Sequence, residues 1–149
     1  MNTTRAILYG LALIAAACNE PALVSPTAPT TTTTTPTTAP AAPTFTETFV
    51  GTVPVGGSSF YSFAVTVYGT VNVTLDSVQG QFVPTTVMLG LGLGTPSGED
   101  CATTATVTTA SGTAIHMTQT LNPGIACVRV HDVGNLFGPA TFNVTIAYP

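Results

Sequence analysis

The sequence predicts an all-β protein in which residues 45–149 fold as an antiparallel β-sandwich of about eight strands. Apolar and polar residues alternate with period two in repeated short runs, which is the pattern of half-buried strands. Turns that contain Gly, Pro or Asn separate these runs. No segment of this part shows an apolar stripe with helical period. Short strands bounded by turns are typical of two antiparallel sheets around one core.

The strands differ in the strength of their alternation. The clearest runs cover residues 61–67, 71–75, 87–93, 126–131 and 142–148. Weaker strands are predicted at Phe45–Val53, 105–109 and 113–121. Gly90, Gly92 and Gly94 leave one face of their strand without side chains. This indicates either the close approach of a neighbouring element or a flat outward surface.

The first 17 residues have the three parts of a secretory signal peptide. Arg5 supplies the positive charge, residues 6–17 form the apolar part, and three alanines at 15–17 precede the cleavage point. The apolar run is shorter than the roughly 20 residues that a membrane-spanning helix needs. We therefore predict export of the chain rather than a stable transmembrane helix.

The tetrad Ala15-Ala16-Ala17-Cys18 resembles the lipobox of bacterial lipoproteins. The resemblance implies that a diacylglycerol is attached to the Cys18 sulfur and that the chain is cut just before this residue, so that the protein reaches the membrane through its lipid. The residue after the cysteine is Asn19 and not the Asp that is associated with retention of lipoproteins in the inner membrane. The resemblance therefore favours the outer membrane of the bacterial cell envelope. The alternative is a plain signal peptide with cleavage after Ala17 and an incidental Cys18, which would make the protein secreted.

Residues 18–44 are predicted to be a lipid-anchored linker between the membrane and the sandwich. They are dominated by Thr, Pro and Ala, a composition that supports neither helix nor sheet because Pro fixes φ and removes backbone donors. An extended spacer of this length reaches roughly 80 Å at about 3.1 Å per residue. Its Thr run at 30–35 is typical of glycosylated stalks, and an unmodified spacer is the alternative.

The charge composition excludes one class of partner. The chain contains no Lys, and its two basic side chains are Arg5 and Arg129. A protein with so few cations does not neutralise a run of phosphates, so we predict no nucleic-acid partner.

The three cysteines divide into one anchor and one pair. With Cys18 assigned to the lipid, Cys101 and Cys127 remain, and export places them in a compartment where disulfides persist. We expect this bond near a sheet edge or the sandwich surface, tying the loop 99–101 to the strand 125–132. A metal site is the weaker alternative, because two thiols without converging His ligands make a poor one.

Four segments resemble the bacterial pre-peptidase C-terminal domain. They are FYSFAV at 60–65, GTVNVTL at 69–75, PGIACVRV at 123–130 and ATFNVTIAY at 140–148. The resemblance implies a jelly-roll-like sandwich of the kind that is appended to secreted peptidases or carried by surface proteins, some of which bind matrix proteins or polysaccharide. Pro-Thr-Thr at 84–86 replaces the family's acidic position, so we expect neither calcium nor another metal or cofactor.

The sequence offers little for catalysis, and we predict no catalytic residue and no enzyme activity. There is no Gly-x-Ser-x-Gly elbow. Arg129, His131 and Asp132 are interpreted as a polar trio that is solvated or lies at a loop end. Leu136 and Phe137 are expected to plug the open end of the sandwich.

The candidate ligand contacts are Tyr68, Phe137, Arg129 and His131. Together these patterns predict a non-catalytic, lipid-anchored cell-envelope protein whose sandwich acts as a spacer or binds a polysaccharide or surface protein. The alternative is a secreted carbohydrate-binding or peptidase-accessory module.

Overall fold

The computed structural model describes residues 37–149, which form eight β-strands and no helix. The strands are β1 (Phe45–Val53), β2 (Ser58–Val65), β3 (Gly69–Gln79), β4 (Met88–Ser97), β5 (Asp100–Ala110), β6 (Met117–Leu121), β7 (Gly124–Asp132) and β8 (Ala140–Tyr148). The predicted signal peptide, Cys18 and the linker up to residue 36 lie outside the described residues.

The strands form two four-stranded sheets. Sheet A has the order β1-β8-β3-β6 and sheet B the order β2-β7-β4-β5, and every pair of neighbours is antiparallel. The chain crosses between the sheets at each connection except the β4–β5 hairpin. Eight antiparallel strands in these orders make a jelly-roll-like β-sandwich. The predicted fold class is therefore confirmed.

The core lies between the inner faces of the two sheets. It includes the alternating residues of β3, β4, β7 and β8, among which Leu75, Leu91, Val130 and Phe142 are 0 or 1% exposed. These are the residues whose period-two alternation predicted the strands. Val67 departs from the pattern, because β2 ends at Val65 and Val67 is 48% exposed.

Two of the weaker strands differ from their predicted lengths. The strand predicted at 105–109 extends over Asp100–Ala110. The strand predicted at 113–121 begins only at Met117. Residues 111–116 are instead a loop along the side of sheet A.

Hydrogen bonds to β3 fix the loop 111–116. The Gly112 N–H donates to the Leu75 carbonyl (2.8 Å), and the His116 N–H donates to the Val73 carbonyl (3.0 Å). The Nδ1 atom of His116 accepts the N–H of Leu75 (3.1 Å). The loop thus supplies partners along β3 where β6 has not yet begun.

One end of the sandwich, which we name the linker end, receives the chain from the predicted linker. The Ala41 N–H donates to the Tyr68 carbonyl (3.0 Å), and the Ala41 carbonyl accepts the Thr70 N–H (2.8 Å). The Thr44 N–H donates to the Tyr148 carbonyl (2.9 Å). The last residues of the predicted linker are therefore hydrogen-bonded to the sandwich.

The opposite end, which we name the distal end, carries the loops 54–57, 80–87 and 133–139. The register places them together, because Val53 at the end of β1 lies opposite Ala140 at the start of β8. These three loops therefore form the end of the sandwich opposite residues 41–44.

Candidate functional site

A single carboxylate organises the distal end. Oδ1 of Asp132 accepts the N–H groups of Gly134 (2.8 Å), Asn135 (3.0 Å) and Leu136 (3.3 Å), and Oδ2 accepts the N–H of Gly56 (2.8 Å). Burial alone would raise the pKa of Asp132, but the four N–H donors together hold this pKa below its ordinary value. The side chain thereby fixes the backbone of the loop 133–139 and ties it to the loop 54–57.

The fixed backbone turns two neighbouring apolar side chains in opposite directions. Leu136 is 5% exposed and belongs to the core, whereas Phe137 is 84% exposed. The predicted plug is therefore right for Leu136 and wrong for Phe137. The physical reason is that burial alternates along this part of the loop, with Leu136 and Gly138 buried and Phe137 between them exposed.

Three further apolar side chains of the loops 54–57, 80–87 and 133–139 are exposed. Phe82 is 63% exposed, Val55 is 55% exposed and Val133 is 40% exposed. Phe82 contacts Gly138, so the loop 80–87 lies against the loop that carries Phe137. We name the group Val55, Phe82, Val133 and Phe137 the distal apolar tip.

Sequence reasoning identified only Phe137 of this group. The signal that could have found Phe82 is its position in GQFVPTT, a segment rich in turn-forming residues where no alternation assigns an apolar residue to the core. Val55 and Val133 similarly lie in turns next to glycines.

Tyr68 lies at the other end of the molecule. It is 41% exposed in the connection between β2 and β3, and its carbonyl accepts the Ala41 N–H. Tyr68 and Phe137, the two aromatic candidate contacts, therefore do not belong to one site.

Arg129 and His131 lie on the outer face of sheet B. The His131 ring fills the space above Gly90, where a Cβ atom would overlap it. Burial lowers the pKa of His131 and the Arg129 charge lowers it further, while Asp132 acts in the opposite direction. The Nε atom of Arg129 lies 3.5 Å from Oδ1 of Asp100. These two candidate contacts are thus adjacent to each other but lie on a different surface from the distal apolar tip.

The other glycines of β4 are also covered. Thr103 occupies the space beside Gly92, and the Ala102 carbonyl lies where a Cβ on Gly94 would be. Close approach of neighbouring elements, one of the two alternatives raised by the sequence, therefore explains the glycine run.

The Cys101–Cys127 disulfide stabilises the linker-end half of sheet B. The two sulfur atoms lie 2.03 Å apart, and both residues are buried. Cys101 is on the edge strand β5 and Cys127 is on β7, with β4 between them. The bond therefore links the sheet edge to an inner strand, as predicted, although Cys101 belongs to the strand β5 and not to a loop at 99–101.

Glu47 joins the two sheets at the linker end, which the sequence did not indicate. Its Oε2 accepts the hydroxyl of Tyr61 and its Oε1 that of Tyr148, each at 2.7 Å. The hydrogen bonds from Tyr148 and Tyr61 lower the pKa of Glu47. The hydrogen bond to Glu47 raises the pKa of Tyr148 to about 12. β1 and β8 of sheet A are thereby bonded to β2 of sheet B.

A cavity of about 300 Å³ opens near the linker end. Its walls include Thr104, Leu121, Pro123 and Ile125, and they hold no titratable side chain. The cavity therefore offers no group for acid–base chemistry.

Among residues 37–149, no three His, Cys, Asp or Glu side chains converge as they would around a metal ion. The same part of the chain contains no helix with the length and apolarity to cross a membrane. No family model matches the chain, and no curated protein matches it. The resemblances to the lipobox and to the pre-peptidase C-terminal domain stay predictions.

Proposed function

We propose that this chain is a non-catalytic, lipid-anchored protein of the bacterial cell envelope whose sandwich binds a surface ligand through the distal apolar tip. The observation that carries the proposal is the 84% exposure of Phe137 on a loop whose backbone is fixed by Asp132. An exposed aromatic side chain on a fixed backbone is an anchor, because no backbone order has to be gained at that residue on binding.

The position of the tip also supports a tethered binding module. The chain reaches the sandwich at the linker end, and the tip lies at the opposite end. A lipid on Cys18 and an extended linker would carry the sandwich away from the membrane with its distal loops free. Outer-membrane attachment follows from the lipobox resemblance alone.

The non-catalytic part of the proposal is supported by the use that the fold makes of its polar groups. The carboxylate of Asp132 accepts loop N–H groups, and Glu47 accepts two phenol hydroxyls. Both carboxylates have depressed pKa values, which suits a hydrogen-bond acceptor and not a general acid at neutral pH.

The binding test compares two exposed aromatic residues at opposite ends. The full chain would be immobilised and exposed to polysaccharide fractions and to purified surface proteins of the producing cells. We expect Phe137→Ala to reduce binding at least about tenfold, a loss of about 1.4 kcal/mol that is modest for a central aromatic anchor. Tyr68→Ala is the matched control and should bind like the unaltered chain. Equal binding by both variants would contradict the assignment of the tip.

The anchor is tested separately by a non-reducing intact mass of protein taken from the membrane fraction. A chain that begins at Cys18, carries acyl mass and lacks two hydrogens relative to the dithiol form supports the lipid anchor and the disulfide together. An unacylated chain would refute lipidation and leave the tip assignment to the binding test.

The second candidate function is a secreted carbohydrate-binding or peptidase-accessory module. The exposed rings of Phe82 and Phe137 favour it, because sugar-binding sandwiches place aromatic rings against pyranose faces. An unacylated chain that binds polysaccharide through Phe137 would select this candidate over the anchored protein.

A further inference from the structure

We propose that β5 pairs antiparallel with β5 of a second copy of this chain, around a two-fold axis at Thr106. The pairing extends sheet B across the two copies into one eight-stranded sheet. This inference does not depend on the anchor or on the distal apolar tip.

β5 is an edge strand with a free side. It spans Asp100–Ala110, and within residues 37–149 it pairs with β4 alone. The opposite edge of sheet B is different, because β1 faces β2 there. Phe49 stacks on Tyr61 with ring centroids 4.9 Å apart, and Tyr61 donates to Glu47. β6, the edge of sheet A on the same flank as β5, has only five residues.

The free edge lacks the usual protection against pairing. Natural edge strands are commonly guarded by Lys, by other charges, by Pro or by bulges. Residues 102–110 read ATTATVTTA and contain neither a charged residue nor Pro. One β-bulge is present, with Thr104 as the extra residue, and it leaves 105–110 in regular pairing with β4. The protection against edge pairing is therefore confined to the end of the strand that contains Thr104.

The sequence of this edge is nearly the same in both directions. A two-fold axis at Thr106 places Thr106 opposite itself and Ala105 opposite Val107 of the second copy, and the bulge at Thr104 limits the regular pairing to these central residues. Such an isologous contact requires a self-complementary surface. The axis stands normal to the sheet, so residues of the outer face meet residues of the outer face. Cross-strand Thr pairs of this kind stabilise sheets, and no like charges oppose each other.

The edge is also held in shape before it pairs. The Cys101–Cys127 disulfide fastens β5 to β7, so the strand loses little conformational entropy when it associates.

Disulfide trapping tests the register directly. In the proposed pair the two Thr106 Cα atoms lie about 4.5–5.5 Å apart, which is within the span of a disulfide. Thr106→Cys in the full chain should therefore give a disulfide-linked dimer under mild oxidation. Thr108→Cys is the matched control, because the two copies of residue 108 lie roughly 13 Å apart along the strands, at about 3.3 Å per residue. The unaltered chain reports any dimer formed through Cys18.

A charge variant tests the same contact without a covalent bond. Thr106→Lys places like charges opposite each other and should shift the sedimentation profile of the full chain from dimer to monomer. Thr52→Lys makes the same change at an exposed position of β1 and should leave the dimer intact. The proposal is overturned if Thr106→Cys gives no more dimer than the unaltered chain, if Thr108→Cys cross-links as well as Thr106→Cys, or if the unaltered chain sediments as a monomer at all concentrations.

Discussion

The two ends of the sandwich are stabilised by different means. At the linker end, a disulfide, a carboxylate shared by two phenols and the backbone hydrogen bonds of residues 41–44 tie strands and sheets together. At the distal end, one carboxylate, that of Asp132, fixes the loop 133–139. The difference shows that strands and sheets are cross-linked most heavily at the end where residues 41–44 join the sandwich. At the distal end, the hydrogen bonds to Asp132 fix the backbone of the loop and thereby position the side chains that it carries.

Removal of the disulfide should weaken the linker end most. We expect Cys101→Ala with Cys127→Ala to lower the free energy of unfolding by roughly 3–4 kcal/mol, because the closed loop no longer restricts the unfolded chain. Urea unfolding of the two proteins measures the difference. A loss below about 1 kcal/mol would mean that the linker end does not depend on its covalent link. Reduction of the unaltered protein is the control for the loss of the buried sulfur atoms.

Asp132→Ala should weaken the distal end by a smaller amount. We expect a loss of about 1–2 kcal/mol, since hydrogen bonds to a charged group are stabilising but these N–H donors are partly accessible to water. The pKa of Asp132 is depressed in the folded protein, so its contribution is present above the unfolded pKa of about 3.9 and is lost as the pH falls through the folded value.

Urea unfolding at neutral pH and at low pH checks this prediction for Asp132. Asp132→Asn, which keeps one carbonyl acceptor, is the matched variant and should show a smaller loss with a weaker dependence on acid. An equal loss at both pH values for Asp132→Ala would argue against a role for the ionised carboxylate.

Glu47→Gln should change the titration of the tyrosines at the linker end more than it changes the free energy of unfolding. The carboxylate raises the pKa of Tyr148 to about 12, so this tyrosine stabilises the fold below its unfolded pKa of about 10, and the contribution is lost as the pH rises through about 12. In the variant the pKa of Tyr148 should fall towards about 10. An ultraviolet absorbance titration of the tyrosines measures the shift, with Tyr148→Phe identifying the group. An unchanged titration curve would show that Glu47 does not raise the pKa of the tyrosines.

The sandwich was predictable from sequence wherever a strand has one buried and one solvated face. Val71, Val73 and Leu75 alternate with polar residues, and all three are fully buried. β5 was underestimated because Ala and Thr give little contrast between its two faces over residues 102–110. The strand predicted at 113–121 was too long, since hydrogen bonds from the loop 111–116 to β3, which leave no sequence pattern, decide its start.

The distal apolar tip was less predictable for a related reason. Loop residues have no period that assigns them to a face, so Leu136 and Phe137 were given the same role. The orientation of each depends on the N–H groups that Asp132 accepts from Gly134, Asn135 and Leu136. The hydrogen bonds from Tyr61 and Tyr148 to Glu47 could not be predicted from the sequence, because the three residues are far apart along the chain.

The smallest change in stability is expected at the residue on which the proposed function depends most. Phe137→Ala should alter the free energy of unfolding by less than about 0.5 kcal/mol, because the side chain is 84% exposed. Leu136→Ala, one position earlier and 5% exposed, should cost about 3 kcal/mol through the cavity it leaves. Thermal or urea unfolding of the pair measures both. A loss at Phe137 comparable with that at Leu136 would make Phe137 part of the core, as the plug hypothesis required, and would remove the anchor on which the proposed binding at the distal end depends.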